Sequence, residues 1–120
     1  MSRDPRDHLP LKPLVFDVLL ALDGGERHGW SLVREIQDAD QHTILPANFY
    51  RTLRTLLADG LIEEAGHTES PDTLERRRYF KLTPIGREVA RLEARRLKAL
   101  VEDDRLRRLL RATPRKSRNQ

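Results

Sequence analysis

The segment 46–57 places polar side chains along one side of a helix, and none of them is acidic. At 100° per residue its apolar side chains share one arc, and the opposite arc holds Asn48, Arg51, Thr52, Arg54 and Thr55. An exposed face in a chain with 35% charged residues usually mixes both signs. Arginine can pair bidentately with guanine, asparagine with adenine, and hydroxyls with phosphates. This face is therefore a candidate DNA-binding surface; an ordinary solvated helix is the alternative.

Tyr50 falls at the edge of the apolar arc of the same segment. Its ring is expected to pack against the protein while its hydroxyl reaches outward to the DNA backbone.

A second group of basic residues lies in the predicted strand 77–82. Strand alternation puts Phe80 and Leu82 on one face, and that face is expected to pack inward. Arg77, Tyr79 and Lys81 then point outward, where Arg77 and Lys81 could contact phosphates. A charged edge strand that only aids solubility is the alternative.

Three helices are predicted before this strand. Pro13, an apolar stretch and then Asp23-Gly24-Gly25 indicate a buried first helix. A second amphipathic helix follows the polar turn 26–29 and runs to about Ala39. The third is predicted over residues 46–59, because Gly60 is a typical left-handed terminator.

After Gly60 the spacing of the apolar residues changes from a helical period to a strand period. Residues 61–65 and 77–82 are predicted to form two strands, joined by a polar loop whose centre, 66–75, is the wing. The predicted fold class is mainly α with a small β-hairpin, a winged helix-turn-helix followed by a long C-terminal helix.

The long helix is predicted to begin at Pro84, with Thr83 as its N-cap. Its apolar residues form two stripes, one expected to pack on the body of the domain and the other to contact a second subunit. Residues 102–104 could interrupt it. The candidate dimerisation residues are Val89, Leu92, Leu97, Leu100 and Val101.

The charge and the composition limit the classes of function that the sequence allows. The 120 residues carry a net charge of +4, yet residues 1–110 hold as many basic as acidic residues. The excess comes from the tail 112–120 and Arg111, and this tail is expected to be disordered. Zero cysteines fit a reducing cytoplasm, and neither a signal peptide nor a bilayer-spanning stretch is expected.

Enzymatic and metal chemistry are not expected. The four histidines lack metal-ligand spacing, and no cysteine, glycine-rich phosphate loop or placed carboxylate pair is found. We therefore expect no catalytic residue, no metal and no cofactor.

Several separated motifs resemble, in the same order, the PadR family of winged-helix transcriptional regulators. They are His28-Gly29-Trp30, Asn48-Phe49-Tyr50-Arg51-Thr52-Leu53, Asp59-Gly60-Leu61-Ile62-Glu63 and residues 77–86. The resemblance covers roughly residues 11–100 and implies a homodimeric bacterial repressor on a palindromic operator. It places the third helix in the major groove, the wing alongside, and the C-terminal helix in the dimer.

This chain departs from the family pattern before Tyr50 and after Gly29, where Ala47-Asn48-Phe49 and Trp30 stand. Some small members bind flat aromatic ligands between subunits through aromatics of the C-terminal helix. No aromatic follows Phe80 here, so such a pocket would be lined differently or is absent, and no effector is assigned.

The expected organisation is a polar segment 1–10, a DNA-binding domain 11–83, a dimerisation helix 84–111 and a basic tail 112–120. The expected partners are double-stranded operator DNA and a second copy of the chain. The alternative function is a winged-helix module that binds proteins and not specific DNA.

Overall fold

The computed structural model describes residues 4–40, 44–67 and 78–118. These residues form a short 3-10 helix (Pro5–His8), helices α1 (Pro13–Asp23), α2 (Gly29–Asp40), α3 (Pro46–Ala58), α4 (Pro84–Val101) and α5 (Asp104–Arg118), and strands β1 (Arg27–His28), β2 (Ile62–His67) and β3 (Arg78–Leu82). The predicted class, mainly helical with a small antiparallel hairpin, is confirmed. None of the helices in the described residues is long and apolar enough to cross a membrane.

The helices begin and end where their terminal residues favour it. A proline occupies the first turn of α1, α3 and α4, where its missing N–H costs no helical hydrogen bond. Asp59 closes α3, and Gly60 follows with φ +77°, a left-handed conformation that favours glycine.

The sheet contains a strand that the sequence did not indicate. Its order is β1-β3-β2, and β1 pairs antiparallel with β3 through Arg27 opposite Phe80 and His28 opposite Tyr79. These residues were predicted to be a polar turn. That prediction was wrong because two residues are too few to show a strand period, and the pairing with β3 decides their conformation.

The hairpin is longer on its first strand than predicted. β2 runs to His67, and a bulge lies between Glu64 and Gly66, where the register shifts against β3. Residues 68–77, which include most of the predicted wing loop and Arg77, lie outside the described residues.

One apolar core joins the helices to the sheet. Its buried residues are Val18, Leu19, Ala21, Leu22, Leu32, Ile36, Phe49, Leu53, Leu56, Leu61, Ile62, Phe80, Leu82, Val89 and Ala90. The inward orientation predicted for Phe80 and Leu82 is confirmed, and Lys81 between them is exposed.

α4 packs on this core with a single face that lies between the two predicted stripes. Gly86, Val89, Ala90 and Glu93 are its buried residues. Val89 was predicted to contact a second subunit, but it is fully buried in the core of its own chain and is withdrawn from that set. The helical periodicity of α4 led to the wrong assignment of Val89, because it shows which face of the helix is apolar but not which surface covers that face.

The C-terminal helix is interrupted at residues 102–104, the break that the sequence indicated, and so forms two helices. α4 ends at Val101, and Asp103 starts α5 by accepting the N–H of Arg105 at 2.7 Å. α5 then runs through Pro114 to Arg118, although residues 112–120 were expected to be disordered. The leucine- and arginine-rich sequence that opens α5 has high helix propensity, which composition alone did not convey.

The junction between β3 and α4 holds α4 against the start of β2. The Thr83 hydroxyl donates to the Gly60 carbonyl at 2.6 Å and accepts the Gly86 N–H at 3.0 Å. The backbone N–H of Thr83 donates to the Leu61 carbonyl at 3.2 Å. A Cβ on Gly86 would overlap that same carbonyl, so only glycine permits this close approach.

Replacing Gly86 with alanine should therefore destabilise the fold by at least about 3 kcal/mol, because backbone would have to move. Urea denaturation measures the change. Gly60→Ala is the matched control, since a Cβ there meets nothing within 4 Å and only the φ strain of about 1 kcal/mol remains. Equal stability of Gly86→Ala and the parent would contradict the packing described.

Glu93 is a carboxylate buried under the N-terminal segment. Its side chain is 2% exposed, and it accepts two hydrogen bonds from Arg96, at 2.8 and 2.9 Å. It also accepts the backbone N–H of Leu11. The Arg96 hydrogen bonds lower the pKa of Glu93, with the Leu11 N–H acting in the same direction and burial opposing both.

Because the folded-state pKa of Glu93 lies below its ordinary value of 4.5, its contribution to stability is present above that pH and is lost as the pH falls through the folded-state pKa. Glu93→Gln should cost about 1–2 kcal/mol at pH 7. The variant should also lose less stability than the parent between pH 6 and pH 3, as urea denaturation at each pH would measure.

Glu88→Gln serves as the control, because Glu88 pairs with Arg91 on the same helix but is 40% exposed, where such a pair contributes little. Parallel pH profiles for Glu93→Gln and the parent would contradict the role given to Glu93.

Candidate nucleic-acid interface

α3 is fixed by its apolar side and presents its polar side to solvent. Phe49, Leu53 and Leu56 are buried in the core. On the opposite side Asn48, Arg51, Arg54 and Thr55 are exposed, and Thr52 is half-buried. The structure thus brings the five predicted polar residues together on one face, which we call the α3 polar face.

Two hydrogen bonds lie within this face. The Arg51 guanidinium donates to Asn48 Oδ1 at 3.4 Å, a long contact that either side chain can exchange for another partner. The Thr52 hydroxyl donates to the Asn48 carbonyl at 3.0 Å. Because its hydrogen is used inside the helix, Thr52 is less suited than Thr55 to donate to a phosphate.

The arginines of the α3 polar face differ from most others in their pairing. Within the described residues, neither Arg51 nor Arg54 has a carboxylate at ion-pair distance. Arginines that do pair with a carboxylate in the same part of the chain are Arg6, Arg27, Arg87, Arg91, Arg96, Arg105 and Arg107. The positive charge of the α3 polar face is therefore not offset by neighbours and is available to an anionic partner.

Tyr50 stands where α3 meets the start of α2. It is 43% exposed, and its ring packs edge-on against Phe49 with the centroids 5.3 Å apart. A Cβ on Gly29 would lie 3.6 Å from the Tyr50 ring and hydroxyl, so the ring rests close to the Gly29 backbone. The ring thus packs against the protein, and the contact of its hydroxyl with the DNA backbone stays a prediction.

The described part of the hairpin includes one of its two predicted DNA contacts, Lys81. Lys81 is exposed, and its ammonium lies 3.6 Å from the carboxylate of Glu63, the residue opposite it in the register. Its charge is therefore partly balanced in this structure. Arg77, the other predicted contact of the hairpin, falls outside the described residues.

A groove that the sequence did not indicate runs beside the α3 polar face. Its volume is about 390 Å³, and one wall is the N-terminal segment with His8 and Lys12. The other wall holds Asn48, Arg51 and Thr55. Segment 1–10 showed no periodicity or motif, so only the folded chain brings its neighbourhood next to α3.

Among residues 4–40, 44–67 and 78–118, no group of three or more histidine, aspartate and glutamate side chains is arranged to hold a metal ion.

Comparison with known proteins places this geometry in a family. The chain matches the transcriptional regulator PadR-like family over residues 18–92, more than half of its length. No curated protein is significantly similar to it.

Solved structures of transcriptional regulators share the fold. A PadR-like transcription factor from Bacteroides fragilis is 22% identical, with a TM-score of 0.66 over 75% of this chain and 84% of that one. RosR of H. salinarum is 20% identical, with a TM-score of 0.62 over 92% and 97% of the two chains. A Streptococcus transcriptional regulator is 28% identical, with a TM-score of 0.64 over 75% and 86%.

The family match spans α1 to α4 and includes α3 with its polar face, the hairpin and the Thr83–Gly86 junction. This chain therefore belongs to the PadR-like family of transcriptional regulators.

Proposed function

We propose that this protein is a homodimeric transcriptional regulator that binds operator DNA with α3 in the major groove. The observation that carries the proposal is the α3 polar face, which has no acidic residue and groups two exposed arginines, without a carboxylate partner among the described residues, with exposed amide and hydroxyl side chains. A face whose only role was solubility would not require this separation of charge.

The length and chemistry of the face support base reading. Asn48 and Thr55 are seven residues apart, about 10 Å along the helix axis, which matches about three base-pair steps of 3.4 Å. Arg51 and Arg54 suit guanine, and Asn48 suits adenine. Thr55 and Tyr50 supply hydroxyls for the backbone.

The hairpin is proposed to support α3 from the side. Lys81 would exchange Glu63 for a phosphate, at small cost because the Lys81–Glu63 pair is exposed. Arg77 keeps the same proposed role from sequence alone. Repression as the result of binding follows from the family resemblance.

The dimer is proposed to form through the C-terminal half of α4. The face that carries Val89, Ala90 and Glu93 on the body continues along the helix through Leu97, Leu100 and Val101. Leu100 is 44% exposed and Val101 is 59% exposed. The apolar face of α4 therefore extends beyond the half of the helix that the body of the domain covers. Half-buried Leu92 borders the same region.

A two-fold dimer of this kind reads two half-sites, and these should lie about one helical turn, near 10 base pairs, apart on a palindromic operator.

A protein-binding module is the competing function, and one observation favours it. Leu109 and Leu110 on α5 are also exposed, at 65% and 62%, and could contact another protein. The salt dependence of binding distinguishes the two functions. Affinity for DNA falls steeply with ionic strength because phosphates are neutralised, whereas affinity that comes from apolar contacts does not fall in this way.

Arg51→Ala should weaken binding to a duplex selected from a random pool by about 1–3 kcal/mol and relax the base preference at one position. Fluorescence anisotropy measures the affinity, and a second selection measures the preference. Arg95→Ala is the matched control, since Arg95 is an exposed arginine of α4 that also has no ion-pair partner among the described residues. Equal affinities of Arg51→Ala and Arg95→Ala would refute the reading role of α3.

The double substitution Leu100→Asp and Val101→Asp should raise the dimer dissociation constant at least about tenfold, because burying each side chain contributes about 1.5–3 kcal/mol. Sedimentation equilibrium measures the constant. Arg95→Asp is the matched control, because it changes the net charge by the same two units on the opposite side of α4, and it should leave the dimer intact. A parent protein that stays monomeric at high concentration would rule out the proposed dimer.

A further inference from the structure

The groove beside α3 suggests a second DNA contact. We propose that it holds the sugar–phosphate backbone of one DNA strand, and that Lys12 is the residue that contacts its phosphates. This inference rests on the proposed function of α3 and extends it to the N-terminal segment.

The position of the groove follows from the size of a helix and of the major groove. An α-helix with its side chains is about 10–12 Å wide, and the major groove is about 12 Å wide. A helix that reads base edges there has a phosphate strand along each flank. The N-terminal segment lies along one flank of α3, so a strand bordering the major groove would pass between the two walls.

Apolar side chains also line the groove, so the phosphate contact is proposed from the charged and polar side chains at its walls. Lys12 on one wall and Arg51 on the other are both exposed, and neither has an ion-pair partner among the described residues. Asn48 and Thr55 add hydrogen-bond donors. Pro13 has no N–H, so the backbone at this residue offers a phosphate no hydrogen-bond donor, whereas the Lys12 side chain does.

One carboxylate also lines the groove. Asp59 lies eight residues after Arg51, about 12 Å farther along the helix axis, and would repel a phosphate. The groove is therefore basic at the end near Arg51 and acidic at the end of α3. The proposed phosphate contact is made by Lys12, with Arg51 in the facing wall, and Asp59 opposes it at the end of α3.

The N-terminal wall is held in place from α4. Leu9 and Leu11 pack against the core, and Glu93 accepts the Leu11 N–H. Because Lys12 directly follows this anchored residue, its backbone is fixed relative to α3. A residue held in this way loses less conformational entropy when it contacts DNA than a residue in a free tail does.

The test uses the full-length protein and two duplexes, one selected from a random pool and one of unrelated sequence, with anisotropy titrations from 50 to 300 mM KCl. Lys12→Gln should lower the slope of log affinity against log salt by about one. Extrapolated from 1 M salt, this is a loss of about tenfold at 0.1 M, by the same factor on both duplexes. Lys12→Arg should keep parent affinity.

Arg6→Gln is the matched control. It removes one positive charge from the same segment, but Arg6 is 74% exposed, pairs with Asp4 and does not line the groove. Its affinity and salt slope should equal those of the parent. Lys12 is exposed and makes no capping hydrogen bond with its side chain, so equal melting temperatures of Lys12→Gln and the parent should verify the fold.

The outcomes separate this inference from the function on which it rests. If Arg51→Ala loses affinity and Lys12→Gln does not, the groove contact is wrong and the function of α3 stands. If Lys12→Gln and Arg6→Gln lose affinity equally, the effect is one of net charge and the contact is also wrong. If the parent binds neither duplex, both proposals fail together.

Discussion

The contact between the start of α4 and the first residues after α3 is the constraint on which the other features depend. Gly86 lies against the Leu61 carbonyl, and the Thr83 hydroxyl bridges the Gly60 carbonyl and the Gly86 N–H. These short-range contacts join the end of α3, the start of β2, the end of β3 and the start of α4. The direction of α4 relative to α3 is set there together with the packing of Val89 and Ala90 on the core.

This geometry matters because α3 and α4 carry the two proposed interfaces. If α4 joins two copies and α3 reads DNA, the spacing of two half-sites depends on the angle between these helices. A small side chain on residue 86 would change the angle between α3 and α4 without altering the residues of either proposed interface. Glu93 extends the same constraint, since it ties the N-terminal segment to α4 and sets that segment beside α3.

The distribution of charge complements this rigid frame. The described body pairs many of its arginines with carboxylates on the same or neighbouring elements, as in Arg27–Glu35, Arg87–Asp23 and Arg96–Glu93. The α3 polar face, by contrast, contains no acidic residue, and Arg51 and Arg54 lie there without a carboxylate partner among the described residues. A formally neutral domain can in this way present a surface suited to an anionic polymer.

Sequence alone determined the elements with strong local signals. Prolines at first turns, Gly60 after α3 and the alternation of Phe80 and Leu82 predicted these features because each depends on local backbone conformation or on one period. The α3 polar face was predictable for the same reason. Only the tertiary structure decided that Arg27 and His28 form a strand, that Val89 belongs to the core, and that residues 8–12 form a wall beside Arg51. Those outcomes depend on which surfaces pack together in the folded chain, and the spacing of residues along the sequence does not show this.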